Sequence, residues 1–381
     1  MAQTSGPVVS TRTLNRTLLH RQLLLERSAM PPLQAVEYLV GLQAQLPLDP
    51  YTALWSRLDG FDPMVLSGHV ARREAVRLVV MRGTLHLVTA EDARVLSPRM
   101  APTLAKVFGG TAWGRQVRDL PSGEYEAFRG DARALLKAQP MTAAQLAKGM
   151  EERWSQIPEQ ARRSMTYILP VAQITPRGEW GKTLQPTWAN LDDWLGKPLR
   201  KPIPLANLVR RYLAVFGPAS VADFQNWSRL PAMRETFEGM RQQLRTYRSE
   251  TGRELFDLPD AELVPEDVPA PVRFLPTYDN VVLGHDDRSR IVPPRHGKNA
   301  FITEDRNVGS VLVDGFVRAC WTVSTTKKQA TLAVETLAPT SKVEQRQIEA
   351  AGRALLAFAH PETAHEVTFR PYTGPPARPA R

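Results

Sequence analysis

The strongest constraint on the fold is a helix–turn–helix spacing that occurs twice. Pro140, Thr142 and Leu146 are matched by Pro218, Ser220 and Phe224. In each set a hydroxyl residue stands two positions past a turn proline, where the following helix needs an N-cap. The predicted helices are Asp131–Ala138 and Ala143–Glu152 around the first turn, and Leu208–Phe216 and Val221–Trp227 around the second. A similar unit opens the chain. Leu14, Leu18, Leu19, Leu23, Leu24 and Leu25 form a stripe at helical spacing. Pro31-Pro32 restarts the chain, and Leu33, Val36, Tyr38, Leu39 and Leu42 continue a second amphipathic helix. Short helices are predicted at Tyr51–Leu58 and Pro63–Glu74. Two β-rich runs follow, Ala75–Met81 and Thr84–Val88, joined at Arg82-Gly83. Helices closed by a β-hairpin are the winged-helix arrangement. A second hairpin is predicted from Val171–Thr175 and Glu179–Thr183, turning at Pro176-Arg177-Gly178.

Past these units the pattern turns to β. Val272–Leu275, Val281–Leu283, Ala300–Thr303, Ser310–Val313, Val317–Val323 and Ala330–Leu337 are short β-rich runs, with a tight-turn signal at Asp314-Gly315. A helix, Lys342–His360, and a strand, Glu366–Phe369, follow. The expected fold class is α+β: three tandem winged-helix units plus a C-terminal β-rich domain. The expected units are 11–118, 119–195, 196–268 (ending in an acidic linker), 269–370 and a disordered proline-rich tail at 371–381.

Charge narrows the partner. Lys and Arg number 49 against 39 Asp and Glu, a net charge of +10. The excess is segregated. Ala93–Arg118 holds five bases and no acid, Lys197–Arg211 another five and no acid, and Glu254–Asp267 six acids and no base. Such segregation suits a polyanion, with the acidic stretch facing away. One cysteine, Cys320, excludes an intramolecular disulfide framework and any multi-cysteine metal site. No apolar run is long enough for a bilayer, and Met1–Ser10 has no signal-peptide pattern, so no membrane partner and a cytoplasmic location are expected. There is no P-loop, no dinucleotide turn, no H-E-x-x-H helix and no G-x-S-x-G elbow. The seven histidines are scattered. No metal site and no cofactor are expected.

One family resemblance runs from about Thr13 to Phe369. Its segments are Gly41-Leu42-Gln43-Ala44-Gln45, Arg82-Gly83-Thr84-Leu85-His86-Leu87-Val88, Pro176-Arg177-Gly178-Glu179-Trp180, Tyr278-Asp279-Asn280, and Leu283-Gly284-His285-Asp286-Asp287-Arg288-Ser289-Arg290. Together they resemble the AlkZ-like family of winged-helix DNA glycosylases. Members remove alkylated purines from DNA, and some unhook interstrand crosslinks made by antibiotics. The resemblance implies a monofunctional glycosylase acting on N7-alkylated purines, a bacterial-type, nucleoid-associated repair enzyme conferring genotoxin self-resistance. It implies double-stranded damaged DNA as the partner, a monomer, and no cofactor. It makes Gln43 and Gln45 the catalytic Gln-x-Gln pair.

Residues two apart on a helix lie about 200° apart, so both glutamines reach one site only if the helix ends between them. Pro47 supplies a reason for such an end. An amide holds a water by donating and accepting hydrogen bonds, yet it is a poor base. That weakness is tolerable for a purine already cationic at N7, which leaves readily. The bland alternative is a pair of solvent-exposed helix-end glutamines. Arg82 and His86 alternate along the expected wing strand and are candidate DNA contacts, although His86 between Leu85 and Leu87 equally suits a structural histidine. His285, Arg288 and Arg290 are candidate phosphate or lesion contacts, or else part of a salt-bridged turn shaping the β-domain. The functional alternative is a non-catalytic winged-helix regulator. Against it, the helix holding Val36, Tyr38, Leu39 and Val40 is apolar for a major-groove reader.

Overall fold

Both repeated turns close as capping boxes. Thr142 accepts from the amide of Gln145, whose side chain accepts in return from the Thr142 amide. Ser220 and Asp223 form the same reciprocal pair. Each box satisfies two donors that a helix start leaves open. The helices around them are Ser122–Ala138 with Ala143–Gly149, and Leu205–Phe216 with Val221–Ser228. In this computed structural model, which describes residues 6–293 and 308–373, the chain is a mixture of helices and three sheets.

The first sheet joins segments far apart in sequence. Its order is Leu42–Gln43, Leu85–Thr89, Ala75–Val79, Val171–Gln173, Trp188–Asn190, antiparallel throughout. The hairpin expected at Ala75–Val88 is present, but it lies in the middle of the sheet. The strand expected at Glu179–Thr183 is not formed. The chain there is a loop held by Arg177, which donates to the Thr183 and Leu184 carbonyls, and pairing resumes at Trp188.

A second, three-stranded sheet carries Glu254–Asp257, Arg245–Ser249 and Val8–Val9, the last pairing parallel. The stretch expected as an acidic linker therefore begins as a strand. Asp257 is buried there in a bidentate pair with Arg21, because a carboxylate inside a core needs its counter-ion. Several bases of the basic stretches are paired within the protein. Arg94 pairs with Glu91 and Arg211 with Asp92, while Lys197 and Arg200 reach the same Glu91. Much of the segregated charge thus meets partners within the protein.

The third sheet runs Ala364–Pro371, Gln329–Thr336, Phe316–Thr325, Gly309–Val313, Arg273–Leu275. Its first two strands are parallel, linked by the crossover helix Lys342–Ala359. Asp314 and Gly315 both take left-handed backbone, with φ of 47° and 81°, as a tight hairpin turn requires. Residues 281–283, expected as β, belong instead to a helical turn, Asn280–Leu283, capped by the Asp279 carboxylate. The run expected at Ala300–Thr303 lies outside the described residues. The expected tail does not begin at Pro371: the final strand includes that residue, and Tyr372 still donates to the Thr336 carbonyl. Among the described residues no helix is long and apolar enough to cross a membrane.

Candidate active site

The segment holding Gln43 is a strand, contrary to the helix end expected. The helix Pro32–Tyr38 stops early, and Val40 and Gly41 then take left-handed backbone, with φ of 56° and 90°. A Cβ on Gly41 would sit 2.7 Å from Val88 Cγ1, so glycine meets both the conformation and the close approach. Leu42 and Gln43 then pair with Leu87 and His86, and the Ala44 amide donates to the Leu85 carbonyl at 2.8 Å. Along an extended ribbon, side chains two apart return to the same face. The strand ends at Gln43, however, and Gln45 follows two residues later in a bend rather than at a helix terminus. Gln43 is 7% exposed. Gln45 is exposed, and no hydrogen bond among the described residues holds its side chain.

Arg82 sits on the turn Met81–Gly83 in left-handed backbone, φ 57°, and not on the wing strand as expected. One of its terminal nitrogens, Nη2, donates to Gln43 Oε1 and to Asn280 Oδ1 (2.8 Å), and lies 3.3 Å from His86 Nε2. Asn280 donates from Nδ2 to the Gly41 carbonyl at 3.0 Å, which turns its oxygen towards Arg82. His86 donates from Nδ1 to the Thr84 carbonyl, which leaves Nε2 as an acceptor. Burial and the Arg82 charge push the His86 imidazole down to about 3, so it is neutral in this network. The other terminal nitrogen of Arg82, Nη1, is buried without a partner.

Two further cations face Arg82. Burial first, and then the Arg288 and Arg229 charges, lowers its pKa to about 9. Arg229 is exposed at the end of the helix Val221–Ser228, which packs on the Met81–Gly83 turn. Arg288 is half-buried. Behind the strand, Arg77 donates to the Ala44 carbonyl at 2.6 Å and to Gln173, fixing the peptide between the two glutamines. Asp49, which opens the next helix, has its carboxyl pushed well above the usual range by burial and by Asp279.

Arg82 and His86 therefore join Gln43, and the Arg288 charge is felt at Arg82. His285 and Arg290 do not join them. They are 1% and 4% exposed, and they donate to the Phe216 and Pro218 carbonyls at 2.9 and 2.8 Å. In these positions they shape the loop Leu283–Arg290 around the second capping box, where Asp223 also accepts from the Asp286 and Asp287 amides. Asp286 and Asp287 of this loop both lie within ion-pair reach of Arg253. Asn280 and Arg229 were not singled out from the sequence. Asn280 lay within a quoted motif and Arg229 gave no signal. Among the described residues no three His, Cys, Asp or Glu side chains gather as a metal site would need.

The chain is similar to known proteins in sequence and in fold. The family described as "DNA glycosylase AlkZ-like" matches residues 36–358. An interstrand DNA cross-link repair glycosylase of Streptomyces sahachiroi is 25% identical over 340 residues, covering 80% of this chain and 85% of that protein. The solved structure of Streptomyces sahachiroi DNA glycosylase AlkZ superposes with a TM-score of 0.75 at 20% identity, covering 95% of this chain and all of that one. A family match across most of the chain, together with a shared fold, means that this protein belongs to the AlkZ-like DNA glycosylases.

Proposed function

We propose that the protein hydrolyses the N-glycosidic bond of N7-alkylated purines in double-stranded DNA, bulky adducts and interstrand crosslinks included, with Gln43 and Gln45 as its catalytic pair. The supporting observation is a buried Gln43 amide held by Arg82, with an exposed, unrestrained Gln45 two residues on and the Arg288 and Arg229 charges acting at Arg82. Neither amide is a useful base at neutral pH. The chemistry left to such a site is orientation of water at C1′ and support for a leaving group that departs unaided. A purine alkylated at N7 is such a leaving group, because it carries a positive charge that bond cleavage relieves. Arg229 and Arg288 suit DNA phosphates, whose charge would offset the cations around a positively charged sugar. The cross-link activity named for the Streptomyces relative points the same way.

A sequence-reading regulator is served less well. The helix Val221–Ser228 buries Val221, Phe224 and Trp227 and ties its start to the loop after Leu283. The test is a panel of duplexes carrying N7-methylguanine, a bulky N7-guanine adduct, an N7–N7 crosslink, or uracil. Excision of the N7 adducts and none of uracil is expected. Efficient uracil excision, or failure on every N7 adduct, overturns the reading.

A further inference from the structure

Two glutamines that could each donate or accept leave the division of labour open. Arg82 removes that freedom from one of them. We infer that Arg82 is a positioning residue that fixes the Gln43 amide with its oxygen inward, so that Gln43 serves the lesion as a donor and Gln45 holds the water. This rests on the glycosylase reading above and deepens it.

The orientation is over-determined. Three acceptors converge on Arg82 Nη2: Gln43 Oε1, Asn280 Oδ1 and His86 Nε2. Asn280 and His86 are each set in that sense by a second bond, to the Gly41 and Thr84 carbonyls. Turning the Gln43 amide over would bring its NH2 against the guanidinium, donor to donor, in a buried place where an unmet donor is costly. Gln43 Nε2 donates to no described residue, yet it is not among the buried atoms closed off without a partner. The donor is therefore the edge that Gln43 presents outward. Gln45 has no such restraint, and its amide is free to turn its oxygen to a water.

The chemistry fits a donor at the base. As the C1′–N9 bond breaks, its electron pair passes to N9 and neutralises the purinium ring. Electron density then rises at the ring acceptors that remain, N3 and O6 of an N7-alkylguanine. A fixed N–H at either becomes stronger in the transition state than in the ground state. The water oxygen, oriented by a hydrogen bond to the Gln45 oxygen, forms the new bond to C1′, and the protonated hydroxyl that results gives its proton to solvent water. Substrates are thereby selected for an acceptor on the departing base. 3-Methyladenine, alkylated at N3 and bearing an amino group at C6, offers neither acceptor.

The experiment uses full-length protein and DNA methylated with methyl methanesulfonate, which carries both 7-methylguanine and 3-methyladenine, with each released base quantified over single turnovers. Gln43→Glu keeps an oxygen for Arg82 but has no NH2. It is expected to release 7-methylguanine no faster than Gln43→Ala, both about 100-fold below wild type. Gln45→Glu keeps an acceptor and is expected to regain about tenfold over Gln45→Ala. Arg82→Lys keeps the charge without the fork, and is expected to lower kcat for 7-methylguanine more than for 3-methyladenine. Its Kd for a duplex holding a tetrahydrofuran abasic analogue should stay within about threefold. Should the Gln43 variants not fold by thermal melting, the Arg82→Lys contrast between the two bases carries the test. Recovery in Gln43→Glu, or equal losses for both bases in Arg82→Lys, overturns the inference. Release of neither base by the wild type overturns the glycosylase reading itself.

Discussion

Arg57 and Asp279 form a bidentate ion pair at 2.9 and 2.8 Å, with both side chains almost wholly buried. Arg57 ends the helix Asp49–Arg57 that follows the glutamine segment, and Asp279 caps the turn holding Asn280. Tyr278, one residue earlier, is in left-handed backbone with φ of 61°. The pair therefore fixes the strained segment that delivers Asn280 to Arg82.

Removing one member of a buried pair leaves an uncompensated charge. Arg57→Ala is expected to destabilise the protein by about 3–5 kcal/mol in urea denaturation. Excision should fall too, through loss of the Asn280 contact. A loss of under about 1 kcal/mol would show that the clamp does not hold the segment.

The two glutamines should separate in stability although both are needed for excision. Gln43→Ala removes a buried amide and strips an acceptor from half-buried Arg82, and is expected to cost about 1–3 kcal/mol. Gln45→Ala, at an exposed position, should stay within about 0.5 kcal/mol. Denaturation curves beside single-turnover excision rates test both halves. Wild-type excision by either variant would remove that glutamine from the chemistry.

Stability should fall as pH drops below the ordinary histidine range. Burial lowers the folded pKa of His86 to about 3 and also lowers that of His285. The unfolded chain takes up protons near 6.5 while the folded one does not, so the contribution is complete above that pH and is lost as pH falls. Between about pH 6.5 and about pH 5 each histidine should cost about 2 kcal/mol. Urea midpoints across this range check it, and His86→Gln should flatten the slope. A midpoint independent of pH would contradict the burial of both.

The arginines should divide by position. Arg229→Ala and Arg288→Ala are expected to weaken DNA binding alike on all duplexes, each reducing the salt slope by about 1. Arg290→Ala should lower the melting temperature instead, since its side chain donates to Pro218 inside the protein. Fluorescence anisotropy at several salt concentrations separates these outcomes. A full-sized salt-slope change in Arg290→Ala would mean that the loop opens to DNA.

What the sequence determined by itself was local. The boxes at Thr142 and Ser220, the turn at Asp314-Gly315, the hairpin after Ala75 and the helix from Lys342 each rest on contacts within a few residues, and each is formed. The Gln-x-Gln spacing at Gln43 and Gln45 is likewise a local feature of the chain. Tertiary structure decided the rest. Leu42 continues a helical stripe, yet it enters a strand because the edge of Leu85–Thr89 offers hydrogen bonds that a two-residue segment cannot announce. Arg82 and Asn280 stand 198 residues apart and meet only once the sheet and the Arg57–Asp279 clamp are formed. His285 and Arg290 read as surface bases in a charged loop, yet are internal because that loop wraps the capped turn at Pro218–Ser220. Spacing along the chain sets backbone geometry over a few residues, whereas burial and long-range pairing depend on what other segments bring to the same place.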